Sequence, residues 1–246
     1  MRSIDINCDM GEGMPNDAEL MPYISSANIA CGFHAGDEDT MRRTIGLACK
    51  HGVTIGAHVS FADRENFGRS EMILTGNAVY DLVQQQLLLL QKIANEFAAI
   101  IRHIKPHGAL YNMSAREEKL AHIIAKAVKD FDPSLIVFGL SGSHSIREAA
   151  ILGLKTANEV FADRSYEDDG SLRSRSLPGA LLQDAEAVSQ QVVKLVNTGT
   201  VTSINGKDIF MQADTVCVHG DGEHAVGFAQ NIYENMKKHS IEIKPC

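Results

Sequence analysis

Positive charge is scarce in this sequence: 23 lysines and arginines stand against 31 aspartates and glutamates, a net charge of −8. That balance repels a phosphodiester backbone and supplies no basic footprint, so nucleic acid is not expected as a partner. No uncharged apolar run approaches the roughly 18 residues of a membrane span. The opening MRSIDINCDM carries two aspartates where a secretory leader would need an apolar core. A cytoplasmic protein with no membrane association is therefore expected. The five cysteines, Cys8, Cys31, Cys49, Cys217 and Cys246, show no CxxC spacing for zinc or redox work and read mostly as small buried hydrophobes. The phosphate loop GxxxxGK[ST], the dinucleotide fingerprint GxGxxG and the serine elbow GxSxG are all missing, as are HExxH and HxH. The chain thus shows no nucleotide cradle of its own, no serine triad and no linear metal motif. It also lacks repeats, charge blocks and Gly/Ser linkers, which leaves one domain over residues 1–246.

What is present is alternation. Seven short apolar runs are expected as strands: 4–8 (IDINC), 27–31 (ANIAC), 53–57 (VTIGA), 101–105 (IRHIK), 135–139 (LIVFG), 155–160 (KTANEV) and 215–219 (TVCVH). Stretches of helical period separate them, at 37–51, 77–99, 114–131, 184–199 and 223–239. Asp37, Asn77, Ser114 and Asp184 stand at or near the helix starts, where a short oxygen side chain caps free N–H groups. The pattern is that of an α/β protein on parallel strands. Two aperiodic segments, 59–76 and 161–180, follow strands and are long enough to expect a functional role.

Every one of the seven expected strands runs into reactive side chains beside glycine or another small residue: NCDMGEG, CGFHAGD, GAHVS, KPHGALYN, GLSGSH, EVFADR and VHGDGEH. In a parallel β/α barrel these C-terminal ends converge on one face and build the active site. Asp9, Glu12, His34, Asp37, His58, Lys105, His107, Asp163, Arg164, His219 and Asp221 would then share one mouth, with Tyr111 following in the KPHGALYN segment. His34, His58, His107 and His219 all fall at strand ends, a clustering that scattered structural histidines have no reason to show. The others, His51, His103, His122, His144, His224 and His239, read as surface or helix residues.

Two chemistries suit such a rim. Asp9, His58 and His107 are the candidate ligands if a divalent metal is bound, because mixed carboxylate and imidazole donors suit zinc and similar ions. The other chemistry is metal-free acid and base catalysis by a carboxylate and an imidazole. Lys105, Arg164 and Arg69 are the cations placed for an anionic substrate group.

The segments DINCDMGEG, SANIACGFHAGD, GAHVSFADRENFGRS, RHIKPHGALYN, EVFADRSYEDDGSLRSR, PGAL and TVCVHGDGEHAV, in this order, resemble the signatures of the LamB/YcsF family. The resemblance runs from about Ile4 to about Ile243. It implies a distorted seven-stranded parallel β/α barrel related to glycoside hydrolases and polysaccharide deacetylases. It also implies an A subunit that works with B and C subunits as an ATP-dependent 5-oxoprolinase, converting 5-oxo-L-proline, ATP and water to L-glutamate, ADP and phosphate. ATP would be a co-substrate of the assembly. Under that resemblance Asp9, His58, His107, Lys105 and Asp163 are the expected catalytic residues. Glu12, His34, Asp37, Arg69, Tyr111, Arg164, His219 and Asp221 would bind substrate. Val59 and Ser174 stand where the family commonly has proline, and neither change removes an ionisable group. A stand-alone metal-dependent deacetylase or sugar hydrolase, and a non-catalytic scaffold that binds 5-oxoproline, are the alternative functions.

Overall fold

A computed structural model describes residues 2–218 and 225–246. Its strands are β1 (Ser3–Met10), β2 (Ser26–Ala30), β3 (Thr54–Val59), β4 (Ile101–Pro106), β5 (Ile136–Leu140), β6 (Lys155–Phe161), the short β7 (Thr200–Thr202) and β8 (Asp208–Phe210), β9 (Thr215–Val218) and β10 (Glu242–Ile243). The helices are α1 (Asp17–Leu20), α2 (Glu38–His51), α3 (Gly76–Glu96), α4 (Gly108–Arg116), α5 (Glu118–Phe131), α6 (His144–Ile151), α7 (Ala185–Thr198) and α8 (Ala225–Lys238). Strands pair in parallel in the order β1-β2-β3-β4-β5-β6-β9, and β9 returns to β1, closing a seven-stranded barrel. β10 adds to the outer edge of β1, and β7 and β8 form a separate antiparallel pair.

All seven expected strands are the barrel strands, each within three residues of its expected limits. Two of the expected caps also hold: Asp37 accepts from the Thr40 N–H and Asp184 from the Ala187 N–H. The helix expected over 114–131 is instead two, because Glu117 is extended between α4 and α5. Thr75, not Asn77, caps α3.

The two faces of the barrel wall have opposite chemistry. Residues alternate across a strand, and on β1 the set Ile4, Ile6, Cys8 and Met10 joins the apolar core with Ile29, Ile55, Val59, Ile104, Val160 and the helices. The other set, Asp5, Asn7 and Asp9, takes part in polar contacts across the barrel. Asn7 donates to Thr215 Oγ1 on β9 at 2.7 Å, and Asn28 on β2 donates to both Asn7 and Asp9 at 2.7 and 2.8 Å. Asp5 accepts from the hydroxyls of Ser25, Ser26 and Thr215 at 2.6, 2.7 and 2.5 Å. Its carboxyl is raised above the usual range, because burial outweighs these donors. His103, expected at the surface, faces Asn28 Oδ1 at 2.8 Å and stacks on Phe138 at 4.2 Å. Burial and the neighbouring Lys105 pull its imidazole down to about 3, so it is neutral at neutral pH.

Lys105 is the cation of this interior, only 2% exposed. Its Nζ lies 2.9 Å from Asp9 Oδ1 and 2.8 Å from Glu159 Oε1, and also donates to Asn7 and Cys217 Sγ. Burial alone would lower its pKa, but the carboxylates of Asp9 and Glu159 outweigh it and hold the ammonium well above its ordinary value. Two buried carboxylates therefore depend on one ammonium. Lys105→Met should cost about 3–5 kcal/mol, the typical effect of removing one partner from a buried ion pair. Urea unfolding monitored by circular dichroism measures it.

A register shift between Ile55 and Gly56 marks an irregularity where β3 meets β4. The missing side chain at Gly56 is what admits His103: a Cβ there would lie 2.0 Å from His103 Nε2. Gly56→Ala should destabilise the fold by about 1–3 kcal/mol through overpacking, and a near-normal melting temperature would contradict this account of the contact.

Candidate functional site

Above the polar interior, at the C-terminal ends of the strands, a cleft of about 980 Å³ opens. Its lining includes Asp9, Glu12, His58, Lys105 and His107, brought from the ends of β1, β3 and β4. Arg69, Tyr111 and Arg164 line the same cleft. Of the remaining expected site residues, Asp37 is exposed at the start of α2, acting as its cap, and does not line the cleft. Asp163 lies outside the cleft lining, its backbone carbonyl accepting from the Leu182 N–H. His219 and Asp221 fall outside the described residues.

At the floor of the cleft is a cluster of three imidazoles and one carboxylate, of which Glu12, His58 and His107 line the cleft and His34, fully buried beside them, does not. One donor atom each from Glu12, His34, His58 and His107 lie within 4.8 Å of one another. Glu12 Oε1 is 3.1 Å from His34 Nε2, 3.3 Å from His107 Nδ1 and 3.6 Å from His58 Nε2. His34 stacks on His107 with ring centres 4.0 Å apart.

Backbone carbonyls decide which ring nitrogens face inward. His58 Nδ1 sits 2.9 Å from the Lys105 carbonyl and His107 Nε2 sits 2.9 Å from the Phe67 carbonyl, so both nitrogens carry hydrogen and donate. The other two, His58 Nε2 and His107 Nδ1, then face each other at 2.9 Å. In two neutral rings these would be opposed lone pairs. Either a proton shared between the rings or a cation bound by both relieves the conflict. A carbonyl partner behind each ring is also how metal-ligating histidines are oriented. The donor set therefore fits a divalent cation, with Glu12, His34, His58 and His107 as the residues that would hold it.

Electrostatics separate the imidazoles. Burial, together with His58, pushes His34 down to about 3 and His107 down to about 2. Burial also acts to lower His58, but the nearby Asp9 and Glu12 outweigh it, and its pKa is raised. Any proton in the cluster thus resides on His58. Asp9 joins the cluster by its second oxygen, 3.4 Å from His58 Nε2, while the first is held by Lys105 and Asn28. The expected ligand trio of Asp9, His58 and His107 thus keeps its two histidines, and Glu12 and His34 complete the four-residue cluster.

The loop between β3 and α3 roofs the imidazoles. Asp63 organises it by accepting from the backbone N–H groups of Asn66 and Ser70. Phe67, a non-glycine residue at φ 56°, holds a left-handed conformation that presents its carbonyl to His107. Gly68 has φ 66°, and a Cβ there would lie 2.3 Å from Ser60 Oγ and 2.9 Å from His34 Cβ. The Gly68 carbonyl accepts from the Ala109 N–H at 2.9 Å, tying the roof to the start of α4.

Glu159, Asn7, Asn28 and His103 were not among the expected site residues. For Asn7, Asn28 and His103 the signal is parity: each stands two residues from another polar residue on its strand, as in Asp5-Ile6-Asn7-Cys8-Asp9, whereas Glu159, between Ala157 and Phe161 at that spacing, carries no such signal. Tyr111 faces Glu159 as well; burial first, then that carboxylate, pushes its phenol well above its usual value.

Comparison with known proteins agrees with this geometry. The A subunit of 5-oxoprolinase from Staphylococcus carnosus (strain TM300) is 51% identical over 245 residues, covering 98% of this chain and 97% of that protein. The crystal structure of a lactam utilization protein from Thermus thermophilus superposes with a TM-score of 0.94 at 36% identity, covering 98% of this chain and 99% of that one. A family 4 carbohydrate esterase from Streptomyces lividans shares the fold alone, with a TM-score of 0.53 at 9% identity over 98% of this chain and 91% of its own. The model of the LamB/YcsF family matches residues 4–246, end to end across the barrel and its cleft, and the chain belongs to that family.

Proposed function

We propose that this chain is the A component of an ATP-dependent 5-oxoprolinase, opening the lactam of 5-oxo-L-proline to L-glutamate together with B and C subunits. The observation that carries the reading is the donor set on the cleft floor, Glu12, His34, His58 and His107, with Asp9 beside it. The relatives' name supplies the substrate.

The chemistry follows from the difficulty of the bond. A five-membered lactam is a resonance-stabilised amide with little strain, and its hydrolysis needs coupling to ATP. Phosphorylation of the lactam oxygen makes the ring carbonyl carbon electrophilic. The partner subunits supply that nucleotide step, since this chain carries no nucleotide motif. A water oxygen then bonds to the ring carbon as its proton passes to Asp9; the carbon–nitrogen bond breaks as the ring nitrogen takes that proton back from Asp9, leaving an acyl phosphate, and a second water displaces inorganic phosphate from it to give L-glutamate. Lys105 positions Asp9 through their ion pair. Arg69 and Arg164 line the cleft as the cations for the substrate carboxylate. A divalent cation held by Glu12, His34, His58 and His107 would supply Lewis acidity at this floor.

Glutamate release from 5-oxoproline and ATP, assayed with this chain, with its partner subunits and with all together, tests the reading. Only the full mixture should be active. His107→Asn and Glu12→Gln should lower the rate about 100-fold or more while the subunits still co-elute. Full activity in either variant would remove that residue from the mechanism.

Metal binding has its own readout. Titration of the isolated chain with Zn²⁺ or Mn²⁺ in a calorimeter should show one site, weakened about tenfold or more by His34→Ala. Binding should also weaken as the medium is acidified, because a proton on His58 competes for the same nitrogen. Equal affinity in the variant would place any bound metal elsewhere.

A further inference from the structure

The wall of the cleft beside His107 holds a second arrangement, centred on the start of α6. β5 lies between β4, which leads to His107, and β6, which leads to Arg164. Its C-terminal turn, Leu140 to Ser143, lines the cleft and runs straight into α6. Ser143 is the N-cap residue of α6, yet its hydroxyl makes no capping bond. A cap serine ordinarily spends its oxygen on the N–H two or three residues on. Here Ser143 is 8% exposed and its Oγ has no hydrogen-bond partner among the described residues. The first N–H groups of a helix have no intrahelical acceptor either. Gly142, at φ 72°, sets the turn, and Asn158 Oδ1 fixes it by accepting the Gly142 N–H at 3.2 Å.

Cations complete the arrangement. Arg147 is one helical turn beyond Ser143 and therefore on the same face of α6. It lines the cleft, is exposed, and its guanidinium forms no ion pair among the described residues. From the β6 side come Arg164 and Arg175. Arg164 is held by two backbone carbonyls, those of Ala180 and Arg173, and Arg175 is close enough to act on it as a like charge. Arg147 stands on α6 itself, one turn from its N-terminus, and Arg164 and Arg175 line the same cleft, so an anion at this wall would meet both free helix N–H groups and guanidinium charge.

We infer that Ser143, the N-terminus of α6 and Arg147 form a subsite for a phosphoryl group, next to the imidazole cluster in the same cleft. What it holds rests on the function proposed above: the phosphate on the activated lactam oxygen, or the inorganic phosphate left when it is released. The substrate would reach the imidazoles already phosphorylated, and this wall would orient the phosphoryl group while water approaches the ring carbon.

The test uses the isolated full chain, with inorganic phosphate and 5-oxoproline as separate probes. Phosphate binding is followed by ³¹P line broadening or calorimetry in the wild type, Ser143→Ala and Arg147→Gln. Neither substitution removes a bond that the fold uses, and Ser143→Thr serves as the conservative restoration. Phosphate affinity should fall about tenfold in each of the first two variants, return with threonine, and leave 5-oxoproline affinity unchanged. Undetectable phosphate binding in the wild type, retained affinity in both variants, or an equal loss for 5-oxoproline would overturn the subsite. Because binding is read without turnover, an inactive assembly leaves this result standing. Conversely, glutamate production that survives loss of phosphate affinity overturns the subsite and keeps the proposed function.

Discussion

The ion pairs of Lys105 with Asp9 and Glu159 are the constraint around which the barrel is organised. A buried ammonium is costly unless matched, and here two carboxylates, from the β1 and β6 strands that flank β9, match it. The interior of a β/α barrel is usually filled by branched aliphatic side chains. This one holds a network of hydrogen-bonding groups, with Phe138 and Phe161 packed against His103 and Lys105, while the main apolar core lies between the strands and the helices. Each inward polar group needs a partner on another strand, so side chains rather than shape alone fix the register. Asp9 is where that interior meets the cleft: one oxygen belongs to Lys105, and the other faces His58.

The imidazole cluster follows a similar logic one layer up. Carbonyls of Lys105 and Phe67 orient two rings, and a third, His34, is fixed by stacking on His107 and by Glu12. The orientation of His107 depends on Phe67 adopting an unfavourable backbone angle, and that angle depends on a roof whose turn is built by Asp63. Residues with no chemistry of their own thus decide which nitrogen lone pairs meet. The opposition of His58 Nε2 and His107 Nδ1 is a feature the fold maintains at the expense of burial, and a bound cation would turn that cost into affinity.

Much of this was legible in the sequence, for a physical reason. Strand ends in a parallel barrel are local features, recognisable where an apolar run meets glycine and charge, so Asp9, Glu12, His34, His58, Lys105 and His107 could be gathered from sequence alone. Partner choice was not legible. Which carboxylate Lys105 would claim, and so whether Asp9 or Glu12 would sit centrally among the histidines, depends on contacts between strands about 100 residues apart. His103 was misplaced because a histidine in mid-strand looks alike whether its face meets water or other polar groups. Asp37 shows the reverse case: as a helix start it was identified correctly, and that role leaves it on the surface, away from the cleft.

The polar interior also bears on how the chain acquires its structure. Asp5 and Asn7 on β1 find their partners in Thr215, more than 200 positions later. As the chain leaves the ribosome, β1 can rest against β2, where Asp5 meets Ser25 and Ser26 and Asn7 meets Asn28, but the bonds to Thr215 wait until β9 arrives to close the ring. A barrel lined with aliphatic groups can collapse on partial products with little penalty. This one keeps a wet, incomplete interior until β9 is made, which ties closure of the ring to a late stage of synthesis and makes a chain shortened before β9 a poor candidate for an independent fold.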